Sequence, residues 1–367
     1  MFNNIYKDKK VLITGNTGFK GSWLTIWLLS LGAKVYGISK DIPTEPSIFK
    51  ALGLSERIMH FQEDIRDLSR MTSIIAETKP NFIFHMAAQP IVSASYNDPI
   101  ETISTNVLGT AHILEALRIS RHSCNTIIIT SDKCYDNVEW TWGYRESDAL
   151  GGKDPYSASK GAAELMIKTY YHSFFKDTDT RIVSTRAGNV IGGGDWAANR
   201  IVPDCIRAWA EEKAVEIRRP NATRPWQHVL EPLSGYLRAG QLLAEGHEIT
   251  GESYNFGPHT DQNFTVLEVL KAIGSHWSFE KLKDIFKVNE VGGFHEAGLL
   301  KLCCDKALHQ LNWQPTLDFN QMAKFTANWY YKYYKAEPKM YAFTEQQINE
   351  YCDLAKSKEI EWAVMDV

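Results

Sequence analysis

Thr14-Gly15-Asn16-Thr17-Gly18-Phe19-Lys20-Gly21 decides the fold. It stands between a β-branched apolar run at residues 11–14 and a stretch at 19–31 where Trp23, Leu24, Trp27, Leu28 and Leu31 recur at three- and four-residue spacings. The first reads as a strand and the second as a buried helix. Glycines at such a junction permit a tight turn and close backbone approach, and the free amides of a helix N-terminus face a pyrophosphate. Gly15, Gly18 and Gly21 are therefore candidate dinucleotide contacts, with Thr17 and Phe19 between them. Taken alone, the triplet could equally be an ordinary strand-to-helix turn.

Outward from this string, apolar runs at 35–38, 82–85, 126–130 and 181–185 alternate with longer segments of helical period. That alternation predicts an α/β fold, a doubly wound parallel sheet of Rossmann type. After about Gly188 the texture changes: Gly192-Gly193-Gly194, a basic stretch from Arg218 to Arg224, and most of the eleven tryptophans lie beyond it. Residues 266–273 read as a helix, and Trp329, Tyr330, Tyr331, Tyr333 and Tyr334 as the packing face of a terminal one. The expected organisation is a dinucleotide-binding domain over 1–188, with return segments near 225–258. Residues 189–367 would form mainly a smaller, interleaved substrate-binding lobe.

The chain has 367 residues, 44% hydrophobic, with 40 basic against 44 acidic side chains and a formal charge of −4. That length supports an enzyme-sized core and argues against disorder. The near-neutral balance, with no long basic run, argues against a nucleic-acid coat. Residues 1–10 lack the apolar stretch of a signal peptide, and no apolar segment approaches the roughly 20 residues that span a bilayer. A soluble, cytoplasmic protein is expected. Six cysteines without CxxC or histidine-bearing spacing read as reduced structural thiols, with no metal site.

The residue that usually ends the second strand of such a domain is an acid that binds the ribose hydroxyls. Here Ser39 stands there, followed by Lys40 and Asp41. Serine can bond a ribose hydroxyl, whereas Lys40 could attract a phosphate, so the choice between NAD and NADP stays open on these residues. Asp64-Ile65 is a candidate adenine contact or a solvated turn. Ala87-Ala88-Gln89 follows the strand at 82–85, where small residues let a cofactor lie against the backbone.

Tyr156-Ser157-Ala158-Ser159-Lys160 opens a predicted helix. Residues four apart share a helix face, so the ammonium can lie beside the phenol and lower its pKa from roughly 10 toward neutrality. Tyr156 would then serve as a general base. Upstream, Ser131-Asp132-Lys133-Cys134-Tyr135 ends the strand at 126–130, placing a hydroxyl, a carboxylate and an ammonium at the carboxyl edge where open α/β sheets bind ligands. A glycine string, a polar strand end and YxxxK in this order argue for catalysis.

These residues resemble the extended short-chain dehydrogenases/reductases that act on nucleotide sugars. The likeness covers nearly the whole chain. It is carried by Thr14-Gly15-x-x-Gly18-Phe19-x-Gly21, Ser131 before Asp132, and Tyr156-x-x-x-Lys160. Four strings narrow it to the 4,6-dehydratases of CDP-hexoses: Gly18-Phe19-Lys20-Gly21-Ser22-Trp23-Leu24, Thr130-Ser131-Asp132-Lys133-Cys134-Tyr135, Gly193-Gly194-Asp195-Trp196, and Arg224-Pro225-Trp226-Gln227-His228-Val229-Leu230-Glu231-Pro232.

The resemblance implies tightly held NAD, regenerated in each turnover of an internal redox cycle. The sugar is oxidised at C4, water is lost across C5 and C6, and hydride returns to C6. Tyr156 would be the base at the 4-hydroxyl, Ser131 its hydrogen-bond partner, and Asp132 the acid for the leaving 6-hydroxyl. In the dTDP-glucose branch a glutamate follows that aspartate and removes the C5 proton. Here Lys133 stands in its place, either as a neutral base or as a charge stabilising an enolate. Arg224 and Asn189 match the family's diphosphate contacts, His295 matches a residue near the nucleotide, and a homodimer is implied. A 4-epimerase shares the glycine string and YxxxK but needs no acid–base pair for elimination. A non-catalytic dinucleotide sensor would have no reason to hold Tyr156, Lys160 and Asp132 together.

Overall fold

A computed structural model describes residues 1–217, 220–259, 262–277, 286–288, 299–335 and 339–364. The first strand, β1 (Lys10–Thr14), runs into helix α1 (Phe19–Ser30), which returns to β2 (Lys34–Ile38). After β3 (Met59–Phe61), helix α2 (Leu68–Thr78) leads to β4 (Phe82–His85). The short helix α3 (Pro99–Ile103) and then α4 (Gly109–Ser120) precede β5 (Asn125–Ile129). Helix α5 (Pro155–Tyr170) connects β5 to β6 (Arg181–Ala187). Helices α6 (Ile201–Ala210) and α7 (Leu230–Glu245) follow, and β7 (Ser253–Phe256) completes the sheet.

The sheet has seven strands in the order β7-β6-β5-β4-β1-β2-β3, and every neighbouring pair is parallel. The expected doubly wound sheet is what the chain forms. The order reverses between β1 and β4, the crevice where such sheets bind dinucleotides.

Strand periodicity builds two cores. Leu12, Ile83, Ile128 and Ile182 point to one face and pack with Met71 and Ile74 of α2, Ile113 and Leu117 of α4, and Ile167 of α5. Their neighbours Val11, Ile13, Phe82, Phe84, Ile127, Ile129 and Val183 point to the other, against α1 and α7. This is why the strands read as continuous apolar runs: both faces are covered.

Helix α1 keeps Trp23, Leu24, Ile26, Trp27 and Leu28 buried, matching the buried helix expected there, and ends at Ser30 with Leu31 as its cap. The run expected at 126–130 is displaced by one residue, because Ser131 already caps a 3₁₀ turn at Asp132–Cys134.

The predicted helix at 266–273 is α8 (Val266–Gly274), opened by a Thr265–Glu268 capping box. The aromatic tail lies on α9 (Phe319–Tyr334), ahead of α10 (Met340–Ser357). Its role is the expected one of packing: Trp329 is buried edge-on to Trp196 at 5.6 Å and stacked on Tyr333 at 5.8 Å. A Cβ on Gly193 would fall 2.1 Å from the Trp329 ring, so Gly192-Gly193-Gly194 is the floor on which α9 rests. Among the described residues no helix is long and apolar enough to cross a membrane.

Candidate active site

The glycine string turns out of β1 against the end of β4. Gly15 has a φ of +77°, and a Cβ there would lie 2.8 Å from the Ala87 amide nitrogen. A Cβ on Gly21 would lie 2.1 Å from the Gly15 carbonyl, whereas Gly18 meets only that carbonyl, at 3.4 Å. The first glycine therefore makes the turn, the third lets α1 close on it, and the second leaves an open face. The Thr14 hydroxyl fastens the arrangement by accepting the Met86 and Ala87 amides, both at 3.2 Å. No side chain caps α1, so the amides of its first turn remain available to an anion. This cradle fits the pyrophosphate of a dinucleotide.

Several residues proposed around it are committed to holding it. Thr17 spends its amide on the Ser39 hydroxyl at 3.4 Å and its own hydroxyl on the Asp41 carbonyl at 2.7 Å. Ser39 is buried and donates to Asn16 Oδ1 at 2.9 Å, so its proton points inward and it can only accept from a ribose. Asp64 is gripped by Arg66, whose Nη2 donates to Oδ2 at 2.6 Å, and that ion pair holds its carboxyl below the usual range. Ile65 is buried against Gly109, where a Cβ would come within 2.4 Å of it.

Ala87 and Ala88 line the crevice edge half-buried, and Phe19 is likewise half-buried at the helix start. The Gln89 amide donates to Thr102 and accepts from the Ile91 nitrogen. Its backbone nitrogen donates to Asn106, which in turn donates to Ser159 of α5. The loop after β4 is thereby tied to the helix carrying Tyr156 and Lys160.

Helix α5 begins where it must for that pair to face the crevice. Asp154 caps it by accepting from the Ser157 amide at 3.0 Å and its hydroxyl at 2.6 Å, and Pro155 occupies the first turn. One turn beyond Lys160, Glu164 is buried and bonded to Arg186 at 2.8 Å, Ser184 at 2.9 Å and Thr130. That pair welds α5 to β6 and to the end of β5, immediately before Ser131.

Ser131, Asp132, Tyr156 and Lys160 meet at this edge, all buried. Ser131 donates to Asp132 Oδ1 at 3.0 Å and accepts from the Lys133 amide at 3.3 Å, fixing the turn. Asp132 Oδ2 is buried with no partner, although a buried carboxylate oxygen ordinarily has one. Gly188 makes room for it: a Cβ there would lie 2.0 Å from Oδ2. Lys133 is half-exposed on the same turn.

One electrostatic expectation is corrected. Tyr156 is not brought toward neutrality by Lys160 but pushed up to about 12, chiefly by burial and against the hydrogen bond to Ser131. The cation bearing on it is Arg200. Lys160 is itself lowered to about 8 by burial, offset by Cys134 and Glu164. Desolvation is the largest influence on both groups because both are buried at the same edge.

Two residues in this cluster were given no role by the sequence reading. Lys20, inside the glycine string, is lowered to about 8 by burial first and then by Arg200 and Lys160, while Asp132 and Asp195 oppose the shift. Arg200 precedes α6 and pairs with buried Asp195 at 2.8 Å, and Tyr330 of α9 donates to the Asp195 carbonyl at 2.5 Å. The usable signal was a long cationic side chain inside a string whose other members are short or apolar.

The proposed substrate residues lie on segments that adjoin the reaction edge. Gln227 donates to the Gly188 and Phe256 carbonyls at 3.0 and 2.9 Å, and its amide nitrogen to Asn189 at 3.4 Å. The string from Arg224 is therefore clamped beside Gly188, which borders Asp132. Asn189 has a φ of +33°, in the left-handed region that asparagine tolerates. Arg224 is half-buried on the strand Thr223–Arg224, and its Nη1 donates to the Thr223 carbonyl at 2.8 Å. His228 is fully buried, edge-on to Trp23 and Phe325, and lowered to about 3 by burial, which makes it a core histidine. His295, Arg218 and Arg219 lie outside the described residues.

The chain and its fold have counterparts. Residues 12–326 match the family model described as GDP-mannose 4,6 dehydratase. The chain is 44% identical over 354 residues to CDP-glucose 4,6-dehydratase of Salmonella typhimurium, covering 95% of this chain and 97% of that one. Among solved structures, dTDP-glucose 4,6-dehydratase of Bacillus anthracis in complex with NAD superposes with a TM-score of 0.73 at 22% identity, covering 88% of this chain and 98% of that one. UDP-glucose 4-epimerase of Thermotoga maritima with UDP-glucose gives 0.76 at 20% identity, covering 89% and 100%. The glycine cradle, the Ser131–Asp132 turn and the Tyr156–Lys160 helix thus sit in a chain that belongs to the GDP-mannose 4,6-dehydratase family, within the extended short-chain dehydrogenases/reductases of nucleotide-sugar chemistry.

Proposed function

We propose that this protein is a lyase that converts CDP-D-glucose to CDP-4-keto-6-deoxy-D-glucose and water. The observation that carries the reading is the unpartnered Asp132 Oδ2, buried beside Tyr156 at the crevice edge: an acid kept for a substrate. The 44% identity to a CDP-glucose 4,6-dehydratase supports CDP-glucose over other nucleotide hexoses.

NAD, held by the cradle of Gly15, Gly18 and Gly21, would supply the hydride acceptor for C4, the hydride donor for C6 and a positive charge in the crevice. Tyr156 accepts the proton of the 4-hydroxyl, and Ser131 hydrogen-bonds the same oxygen as it becomes a ketone. Burial disfavours the phenolate at rest, and Arg200 opposes that shift, favouring the ionised form that takes the proton. The 4-ketone acidifies the C5 proton, which Lys133 removes. Asp132 Oδ2 protonates the departing 6-hydroxyl, so one C–H and one C–O bond break, a C5–C6 double bond forms and water leaves. As C6 is reduced, Lys133 returns its proton to C5, and the proton held by Tyr156 passes through solvent to Asp132, which resets all three groups. Arg224 and Asn189 hold the diphosphate, the arginine by charge-assisted bonds to its oxygens.

The same reading places residues 1–188, with α7 and β7, around the cofactor and the remaining segments around the sugar nucleotide. The enzyme works in the cytoplasm as a homodimer. Ile100 (73% exposed), Leu108 (51%) and Leu165 (51%) support the dimer, as apolar side chains left uncovered on α3, before α4 and on α5. Two such helices from each copy would form a four-helix contact.

The test is incubation of the purified protein with CDP-, dTDP-, UDP- and GDP-hexoses, reading the alkaline absorbance of a 4-keto-6-deoxy product. Product from CDP-glucose is expected; no product from any of the four would refute the dehydratase reading.

A further inference from the structure

The end of β2 carries no acid. Ser39 turns its proton inward to Asn16, and the next residue is Lys40. Arg66, after β3, brings a second cation to the same edge, as its bonds to Glu101 alongside Lys40 require. Thr17 bonds both Ser39 and the Asp41 carbonyl, so this edge directly adjoins the glycine cradle. It is the position where the adenosine ribose of a dinucleotide falls, and where a basic side chain accommodates a 2′-phosphate. Two free cations here would favour the phosphorylated cofactor.

They are not free. Glu101, from α3, bonds Lys40 Nζ through Oε1 at 2.9 Å and Arg66 Nη1 through Oε2. The other edge of the Arg66 guanidinium is taken by Asp64, with Nη2 to Oδ2 at 2.6 Å and Nε to Oδ1 at 3.0 Å. Ser104 accepts from Arg66 Nη1 at 3.3 Å, and the Thr105 hydroxyl donates to Glu101 Oε1 at 3.4 Å. Asp98 caps α3 by accepting the Glu101 amide at 2.9 Å, which fixes where the carboxylate stands. Lys40 and Arg66 thus carry two positive charges against two from Glu101 and Asp64, with exposed Asp41 adding a further negative one. Both pairs at Glu101 are partly exposed, with side-chain exposures of 31–47%, and pairs of that kind add little to stability.

We infer that Glu101 is a specificity-determining residue: it supplies from α3 the negative charge missing at the end of β2, occupies Lys40 and Arg66, and excludes a dinucleotide bearing a 2′-phosphate. The inference rests on the assignment of the glycine cradle to NAD and adds the element that selects it. A 2′-phosphate entering this edge would meet the Glu101 carboxylate and two cations whose donors are already engaged. Without Glu101 the same cations become a phosphate site.

The experiment is calorimetric titration of NAD, NADP, 5′-AMP and 2′,5′-ADP into the full-length protein, for wild type, Glu101→Gln, and Glu101→Gln combined with Lys40→Met and Arg66→Met. In Glu101→Gln the affinity for NADP relative to NAD, and for 2′,5′-ADP relative to 5′-AMP, should rise about tenfold or more, the worth of one charge-assisted contact. The added methionines should cancel that gain. General damage to the fold would weaken both members of each pair and leave the ratio unmoved. An unchanged ratio in a Glu101→Gln protein that still binds NAD overturns the inference and spares the cradle assignment; failure of the wild type to bind either dinucleotide overturns both.

Discussion

Replacing Gly188 by alanine perturbs one atom of the proposed machinery. A Cβ at residue 188 would stand 2.0 Å from Asp132 Oδ2 and 2.6 Å from its Cγ. Carbon and oxygen in contact need roughly 3.2 Å or more, so the carboxylate must retreat by about 1 Å. Displacement of a reacting group by that distance costs on the order of 100-fold in rate. The loss should fall on one step. The added Cβ meets Asp132 first, and Tyr156 and the cradle lie beyond it, so oxidation at C4 should persist while elimination stalls. In single-turnover experiments with CDP-glucose, Gly188→Ala should therefore form reduced nicotinamide at a near-normal rate. The reduced form, rather than being a transient, should then accumulate, with product appearing about 100-fold more slowly. The melting temperature serves as the control, because a misfolded protein would lose both phases together. Product formation within a few-fold of wild type would refute the claim that Oδ2 is the acid.

The remaining predictions follow from single residues. Lys133→Met should permit nicotinamide reduction yet stop solvent deuterium from reaching C5, and undiminished incorporation by mass spectrometry would put the base elsewhere. Glu231 is raised to about 7, chiefly by burial, although it accepts from the Leu317 amide at 2.6 Å, the Thr316 amide at 2.9 Å and the Tyr351 hydroxyl at 2.8 Å. Between pH 4.5 and 7 the folded state therefore binds more protons than the unfolded one, so stability falls as pH rises through that window. Relative to Glu231→Gln, the wild type should lose up to roughly 3 kcal/mol across it in urea unfolding, and parallel profiles would show that the carboxyl titrates normally. Leu108→Arg, placing a charge on the exposed apolar face, should convert a dimer to a monomer in light scattering, whereas an unchanged mass would move the interface elsewhere.

Much of the fold was legible because the strands are buried on both faces. Phe82, Ile83 and Phe84 in succession need cover on either side, and only helices on both sides of a parallel sheet provide it. The strings that meet at the candidate site were legible for a related reason. Tyr156 and Lys160 share a helix face by spacing alone, and Ser131–Asp132 fall at a strand end that the apolar run marks. What stayed hidden depends on residues that meet only after folding. Gly188 and Asp132 are apart in sequence, and nothing local in either shows that one leaves room for the other. Lys40, Arg66 and Glu101 come from three separate loops and helices, so Lys40 read as a phosphate attractor when its ammonium is already bonded. Thr17 and Ser39 sit at positions that suggest outward contacts, yet their hydroxyls turn inward to Asp41 and Asn16. The pKa of Tyr156 was misjudged on the same ground: spacing conveys the neighbouring lysine but not the burial that raises the phenol.

The central claim, an internal redox cycle ending in loss of water, is tested most directly with CDP-glucose carrying deuterium at C4. The account predicts that the label reappears at C6 of a 4-keto-6-deoxy product, within the same molecule when labelled and unlabelled substrates are mixed. Label retained at C4 of an intact hexose, as a 4-epimerase would leave it, or lost to solvent, would contradict it.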